Sequence, residues 1–148
     1  MLLTMYPTNK DPRGDTVPER QAINPWPWSI KLGFDQAQLV EGHQRQLVLS
    51  GQDSVDADGN PQHPGDMAAQ LELALDNLET VLAGAEMTVA NVVRLNAYTT
   101  DVDELFKHWA RVQDRFAGSE DRFATSVLGV TRLGAPDLMV LLEATAVD

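Results

Sequence analysis

The chain contains no cysteine among its 148 residues. Disulfides, a thiol nucleophile and zinc sites built on thiolates are therefore excluded. The absence also fits a reducing cytoplasm, where we expect the protein to be located. No apolar run approaches the roughly 20 residues that a membrane helix needs. The opening "MLLTMYPTNKDPRGD" lacks the basic and long apolar regions of a signal peptide, so we expect neither a membrane span nor a signal peptide.

Basic residues are scarce. The chain has 11 Lys and Arg against 22 Asp and Glu, which gives a net charge of −11. Nucleic-acid binding depends largely on Lys and Arg that neutralise phosphates, so the charge argues against a nucleic-acid partner. We interpret the acidity as a solubility feature. The histidines at positions 43, 63 and 108 are not spaced as metal ligands, and the sequence predicts no metal and no cofactor.

The length fits a single domain, which we expect over residues 34–148 after an N-terminal arm over residues 1–33. The arm is interpreted as extended because its prolines exclude a helix and leave few donors for a sheet. These prolines are Pro7, Pro12, Pro18, Pro25 and Pro27. The aromatic segment from Trp26 to Trp28 is expected to pack on the domain or on a neighbouring subunit.

The domain sequence predicts the order ββαβαββ. "QAQLVEG" and "RQLVLSGQ" are typical of two strands joined in a hairpin. A helix is predicted from the Asp66 cap to Gly84, because apolar residues recur there at helical spacing. "NVVRLNAYTT" alternates as a strand. A second helix, capped by Thr100, is predicted next, because its apolar residues, which include Phe106 and Trp109, form one stripe along the helix. The last two strands are "TSVLGVTRL" and "LMVLLEATAV".

This order is typical of an α+β fold in which both helices cover one face of a mixed sheet. Yet "VLGV" and "LMVLLEA" in the last two strands are apolar on both faces, as in strands that are covered on both sides. Apart from the arm, the chain has nothing left to cover the second face. We therefore expect that face to meet another subunit in a closed symmetric oligomer.

Few residues stand out as chemical candidates. Arg94 shares a predicted strand face with Asn96 and Tyr98, where it could bind an anion or form an interfacial ion pair. Glu143 lies alone in an apolar strand. A buried carboxylate is costly unless it is paired, so a structural pair with Arg94 or Arg132 is favoured over a role as general acid or base.

One combination of segments is more specific than any of its parts. "LVLSGQ … DGN … GDMAAQLELALDNLETVLAGAEMTVANVVRLNAYTTDVDEL … LEATAV" closely resembles the Rid (YjgF-type) family of reactive intermediate deaminases, also labelled L-PSP endoribonucleases. The resemblance implies a chorismate-mutase-like fold and a homotrimer with three clefts between neighbouring subunits. It also implies hydrolysis of enamines and imines to a 2-keto acid and ammonia, without a metal or a covalent intermediate.

Alignment with the family carries several pocket positions onto this chain. Ser50 and Gly51 retain the segment in which a main-chain group faces the substrate. Phe34 keeps the aromatic ring of the family's first-strand position but not its hydroxyl. Trp109 replaces a helix-borne asparagine, and Val127 takes the place of a lining residue.

The two groups that the family's reaction needs most are replaced. Thr125 stands where the family has the arginine that binds the substrate carboxylate, and Leu141 where it has the acid that positions water. Glu143 is retained two residues on. By strand alternation, Val127 and Leu141 are expected on the same side as Thr125. Such an apolar pocket with one hydroxyl would suit a larger, less charged ligand.

Four functional hypotheses follow. The first is a trimer that binds, and could hydrolyse, a small organic molecule other than a simple imino acid, with the tryptophan arm closing over the pocket. The second is an ordinary imine deaminase that uses substitute residues, with Arg94 replacing the lost cation. The third, an endoribonuclease or translation inhibitor, is disfavoured by the charge. The fourth is a non-catalytic scaffold that binds partner proteins.

Overall fold

The computed structural model describes residues 19–119 and 121–148. The predicted extended structure of residues 1–18 lies outside this range. The elements, in chain order, are β1 (Glu19–Ile23), α1 (Trp28–Lys31), β2 (Ala37–Glu41), β3 (Gln46–Val48), β4 (Gln52–Asp53), α2 (Met67–Gly84), a 3₁₀ turn (Val89–Asn91), β5 (Val92–Thr99), α3 (Val102–Lys107), α4 (Ala110–Phe116), β6 (Ala124–Gly129) and β7 (Val140–Val147). The α+β class is confirmed.

The main sheet is mixed, as predicted. Its order is β3-β7-β5-β6, with β4 pairing further along β7. Strand β5 runs parallel to β6 and antiparallel to β7. Strands β1 and β2 form a separate two-stranded antiparallel ribbon.

The predicted hairpin between β2 and β3 is wrong. Strand β2 pairs instead with β1, and β3 pairs with β7. Arg20 on β1 explains why the ribbon stays with the domain. Its guanidinium donates to the carbonyl oxygens of Ala90 (2.8 Å), Val92 (3.0 Å) and Arg122 (2.7 Å), and this contact draws β1 against the start of β6.

The prediction that prolines exclude a helix from the arm is also wrong for residues 28–31, which form the short helix α1. Pro27 is the residue that caps this helix. A proline at the start of a helix costs little, because the N–H it lacks has no intrahelical partner there. The boundary between arm and domain at Phe34 stays a prediction.

Helix α2 begins and ends where the sequence predicts. The Asp66 side chain accepts a hydrogen bond from the backbone N–H of Ala69 at 3.0 Å, which satisfies one of the unpaired donors of the first turn. One face of the helix is buried against the sheet, and Leu71, Leu75 and Leu78 are fully inaccessible to solvent.

The second predicted helix is broken into α3 and α4. Its cap is Asp101 rather than Thr100, because the Asp101 carboxylate accepts from the Glu104 N–H at 3.0 Å. After Lys107, the His108 N–H bonds to the Leu105 carbonyl at 3.0 Å. This i→i−3 bond closes a tighter turn and separates α3 from α4.

The break changes the environment of Phe106. The sequence placed this residue on the apolar stripe of a continuous helix, but its side chain is 55% exposed. Trp109, just past the break, remains partly buried against the core.

The two faces of the sheet differ in burial. On the helix-covered face, Leu95 and Ala97 of β5 and Leu142 of β7 are fully buried. The opposite face, which we call the open face, carries Val48 at 73% exposure and Leu128 at 46%. No described residue covers these two apolar side chains.

Candidate functional site

A pocket of about 580 Å³ opens between α1, the α3–α4 break and β6. Four residues picked out from the sequence lie in its wall: Phe34, Trp109, Thr125 and Val127. The other lining residues are Trp28, Leu32, Phe106, Lys107, Ala110 and Gln113. The wall is therefore mostly apolar and aromatic, as is usual in sites for small organic molecules.

A smaller chamber of about 210 Å³ adjoins this pocket. The two share Leu32, Phe34, Trp109, Gln113 and Thr125. The smaller chamber, which we call the inner chamber, is also lined by Asp121, Arg122 and Phe123. The combined cleft thus has an outer part that is apolar apart from Gln113 and Lys107, whose ammonium pairs with Glu104 at 3.0 Å, and it has charged residues in its inner wall.

Local backbone geometry positions the aromatic wall. Gly33 has a φ of 85°, a conformation that residues with a side chain rarely adopt, and it turns the chain between α1 and Phe34. The Gln113 side chain of α4 donates to the Leu32 carbonyl at 3.1 Å. Trp28 then packs edge-on to Phe34, with ring centroids 5.8 Å apart. Trp28 lines the pocket and remains exposed to solvent, and closure of the tryptophan arm over the pocket stays a prediction.

The hydroxyl of Thr125 donates to the Leu95 carbonyl at 2.5 Å. Its proton is therefore used within the sheet, and its oxygen can only accept from a ligand. Val127 is partly buried and packs on the core. Neither residue supplies a cation or a proton donor to the pocket.

Ser50, Gly51 and Leu141 do not line this pocket. In the sheet register, Thr125 lies opposite Leu95, on the helix-covered face. Leu141 instead lies opposite Tyr98 and therefore on the open face. The expectation that Leu141 shares a side with Thr125 is wrong, because the parallel and antiparallel registers on either side of β5 place them on opposite faces.

The Leu141 side chain packs closely against Gly51 on the open face. A β-carbon at Gly51 would lie 2.4–2.6 Å from the side-chain carbons of Leu141. The leucine therefore occupies the space that any larger residue at position 51 would need. Ser50 is exposed beside them.

Glu143 lies in a polar network on the same open face. The Tyr98 hydroxyl donates to its Oε1 at 2.5 Å, and the Asn96 amide donates to the same oxygen at 3.3 Å. These hydrogen bonds, from Tyr98 first and then Asn96, lower the pKa of Glu143. The bond to Glu143 also raises the pKa of the Tyr98 hydroxyl. Glu143 is thus held as a carboxylate at neutral pH.

The favoured prediction of an arginine pair for Glu143 is wrong. Among the described residues it forms no direct ion pair. Arg94 donates to Asn96 Oδ1 at 3.2 Å, and its charge helps to lower the pKa of Glu143 from a distance. Arg94 is exposed on the open face and does not line the pocket that contains Thr125. It is therefore badly placed to replace a cation at Thr125 of the same chain.

Sequence reasoning missed Asp53. This residue pairs with Leu141 in the β4–β7 ladder, so the two side chains are neighbours on the open face. Burial raises the pKa of Asp53. The signal in the sequence was an acidic residue immediately after "SGQ", a segment already assigned to the pocket.

Sequence reasoning also missed Phe106, Gln113 and Arg122 as lining residues. Phe106 was assigned to the core because the helix break was not foreseen. Arg122 precedes the predicted strand, and a residue in a loop gives no periodic signal of where its side chain lies.

Two kinds of feature are absent from the described residues. Within residues 19–119 and 121–148, no three His, Asp or Glu side chains are grouped as metal ligands. None of the helices in this part of the chain is both long and apolar enough to span a bilayer.

Comparison with known proteins places the chain in a family. The sequence model of the family described as Endoribonuclease L-PSP matches residues 34–148. The solved structure of YyfB from Yersinia pestis, a Rid-family protein of unknown function, is 34% identical to this chain. The likeness has a TM-score of 0.78 and covers 86% of this chain and 98% of that one. The chain belongs to the Rid/L-PSP family.

Other relatives agree with this assignment. The YjgF gene product of E. coli is 26% identical, with a TM-score of 0.62, over 85% of this Rid/L-PSP chain and 90% of its own. A RutC family protein of Buchnera aphidicola subsp. Acyrthosiphon pisum (strain APS) is 34% identical over 59 residues. That match covers 40% of this chain and 45% of the relative, so the chain aligns with less than half of that curated protein.

Proposed function

We propose that this Rid/L-PSP chain binds a small organic molecule with a largely apolar body in the pocket between α1, α4 and β6. The observation that carries the proposal is the aromatic and aliphatic wall around Thr125. A pocket of about 580 Å³ is within the size range of small-molecule sites. Hydrolysis of a bound enamine, imine or related compound is the activity to be tested at the same site.

We further propose that the complete site forms between subunits of a homotrimer. Phe34 and Thr125 lie on the helix-covered side of the sheet, whereas Gly51 and Leu141 lie on its open face. One chain cannot bring these sets together, but the open face of a neighbour could. The exposed apolar side chains Val48 and Leu128 on that face also favour contact with another subunit.

Efficient deamination of a small 2-imino acid is not expected. Thr125 has no positive charge for a substrate carboxylate, and Leu141 has no acid to position water. A lost charged hydrogen bond weakens ligand binding by about 1.5–3 kcal/mol. Without an acid at position 141, the chemical step also loses the rate acceleration that a water-positioning acid provides.

A second candidate, an imine deaminase with substitute residues, is favoured by one observation. Asp53 on β4 lies directly opposite Leu141 on β7. Burial raises the pKa of Asp53, whereas hydrogen bonds lower the pKa of Glu143, two residues along β7 from Leu141. Two carboxyl groups whose pKa values are moved apart are suited to acid and base roles. Asp53 could therefore position the water that Leu141 cannot.

RNA cleavage, which the family description suggests, is the least favoured function. A chain with a net charge of −11 repels phosphates. We expect no binding of a fluorescent single-stranded RNA to the protein at about 50 mM salt, where electrostatic affinity is strong. Saturable binding measured by fluorescence anisotropy would contradict this expectation.

The pocket is tested by Val127→Asn. This change places an amide in the apolar wall and is expected to weaken binding of apolar ligands about tenfold, because a polar group is buried without a partner. Binding of phenylacetate, phenylacetamide and their branched aliphatic counterparts is measured by isothermal titration calorimetry. Trp28 and Trp109 in the wall allow a fluorescence check.

Val81→Asn is the matched control. Val81 is an exposed valine on α2 that lines neither chamber, so the same substitution there should leave binding unchanged. Equal losses in both variants would contradict the proposed pocket. Absence of binding to the wild type across the whole panel would instead favour a scaffold that binds partner proteins.

A further inference from the structure

Arg122 lies in the wall of the inner chamber, together with Phe34, Trp109 and Thr125. Its guanidinium is anchored at one point: Nε donates to Asp35 Oδ1 at 2.9 Å. The Asp35 side chain is only 1% exposed, whereas that of Arg122 is 39% exposed. The anchoring carboxylate is therefore buried, whereas part of the Arg122 side chain remains accessible.

The two terminal nitrogens of Arg122 have no partner among the described residues. Its hydrogen bond and its ion pair both use Nε alone. The main chain at this position is also fixed, because the Arg122 carbonyl accepts from Arg20 at 2.7 Å. A held guanidinium with free N–H groups is preorganised for a planar, two-oxygen acceptor.

The surrounding charges do not cancel this arrangement. Asp121 also lines the inner chamber, but it lies 3.7 Å from the Arg20 guanidinium, which offsets its charge. Asp35 offers its oxygens to three donors, namely Asn24, Gln38 and Arg122. These three hydrogen bonds partly neutralise the negative charge of Asp35. Asp35 therefore repels an anionic ligand near Arg122 less than an unpaired carboxylate would.

We propose that Arg122 binds the carboxylate of the ligand in the inner chamber. This rests on the proposed function, since it assigns the chemical class of the molecule bound in the same pocket. The ligand is a carboxylic acid whose apolar or aromatic body lies against Trp28, Phe34, Trp109 and Val127 in the outer part. Arg122 thereby supplies, from three residues upstream, the cation that Thr125 lacks.

The test compares acids with amides of the same shape. The full-length wild-type chain is titrated with phenylacetate and phenylacetamide, and with 4-methylpentanoate and 4-methylpentanamide. We expect the acids to bind about 10- to 100-fold more tightly, the range of a charged hydrogen-bonded contact. Arg122→Gln is expected to bring the acid-to-amide ratio close to one while amide affinity is retained. This ratio does not depend on the fraction of protein that is folded.

Arg132→Gln is the matched control. Arg132 is an exposed arginine that lines neither chamber, and its replacement should keep the acid preference. The assignment of Arg122 is overturned if the preference for acids survives Arg122→Gln, or if the wild type binds acids and amides equally well. Either result leaves the apolar pocket in place. Failure of the wild type to bind any of the four compounds overturns both proposals.

Discussion

Replacing Asp35 with alanine is expected to lower the free energy of unfolding by about 2–4 kcal/mol. Its carboxylate is almost completely buried. It accepts hydrogen bonds from Asn24 (2.8 Å), Gln38 (2.8 Å) and Arg122 (2.9 Å). Alanine would remove the acceptor that these three donors share, while the main-chain bond from residue 35 to the Phe123 carbonyl (3.1 Å) would still tie this segment to the start of β6. Urea unfolding at a fixed protein concentration measures the loss, since oligomer stability depends on concentration.

The conservative variant Asp35→Asn separates charge from shape. It keeps one acceptor oxygen, so the loss should be smaller than for alanine. Burial alone would raise the pKa of Asp35, but the hydrogen bonds from Asn24, Gln38 and Arg122 outweigh it, and the pKa lies below its ordinary value. A carboxylate with a lowered pKa stabilises the fold above its unfolded-state pKa of about 3.9, and that stabilisation is lost as the pH falls through the folded-state value.

The stability difference between wild type and Asp35→Asn should therefore be constant from about pH 5 to 8 and shrink below about pH 4. A difference that grows on acidification would mean that the carboxylate is not the stabilising form. An alanine variant as stable as the wild type would mean that the three donors find other partners.

The elements that the sequence predicted best are those whose signal is local. Helix α2 has a cap at Asp66 and an uninterrupted apolar stripe, and both operate within a few residues. The β2–β3 hairpin failed because strand pairing is a long-range choice. Arg20, which secures β1 against the domain, contacts residues about 70 and 102 positions away in the chain, and no sequence pattern carries that information.

The candidate site shows the same division. The alignment of Phe34, Trp109, Thr125 and Val127 brought together residues that do share a pocket. Leu141 was assigned to the wrong face. Alternation shows which residues of one strand share a face, but which residues of two different strands share a face depends on how the strands are paired. Arg122 escaped notice because its importance comes from a buried partner, Asp35, at the far end of the domain sequence.

Restoring the two missing family groups is expected to produce the largest functional change. Imines generated by an amino-acid oxidase are supplied to wild type and to Thr125→Arg/Leu141→Glu, and ammonia release is followed. We expect the wild type to be silent. The double variant should accelerate release by at least about 100-fold over the uncatalysed reaction, the lower range of general acid–base catalysis, because it regains a water-positioning acid and places a cation at the family's own position, three residues from Arg122.

Thr80→Arg/Leu141→Glu is the control for added charge. It places the arginine at an exposed threonine of α2 that lines neither chamber, and it should remain silent. Acceleration by the wild type itself would contradict the expectation and would favour substitute residues, with Arg122 and Asp53 as the first to be replaced. A silent double variant that is folded and binds ligand would mean that the scaffold lacks more than these two groups.

Mixing single variants tests whether the site is shared between subunits. Thr125 and Leu141 lie on opposite faces of the sheet, so one chain cannot bring an arginine at the first and a glutamate at the second to the same substrate. Thr125→Arg and Leu141→Glu chains, co-expressed with different tags and purified through both, should therefore regain part of the double variant's activity, although each is silent alone. A silent mixture beside an active double variant would show that both groups must be in the same chain, and the proposed inter-subunit cleft would be wrong.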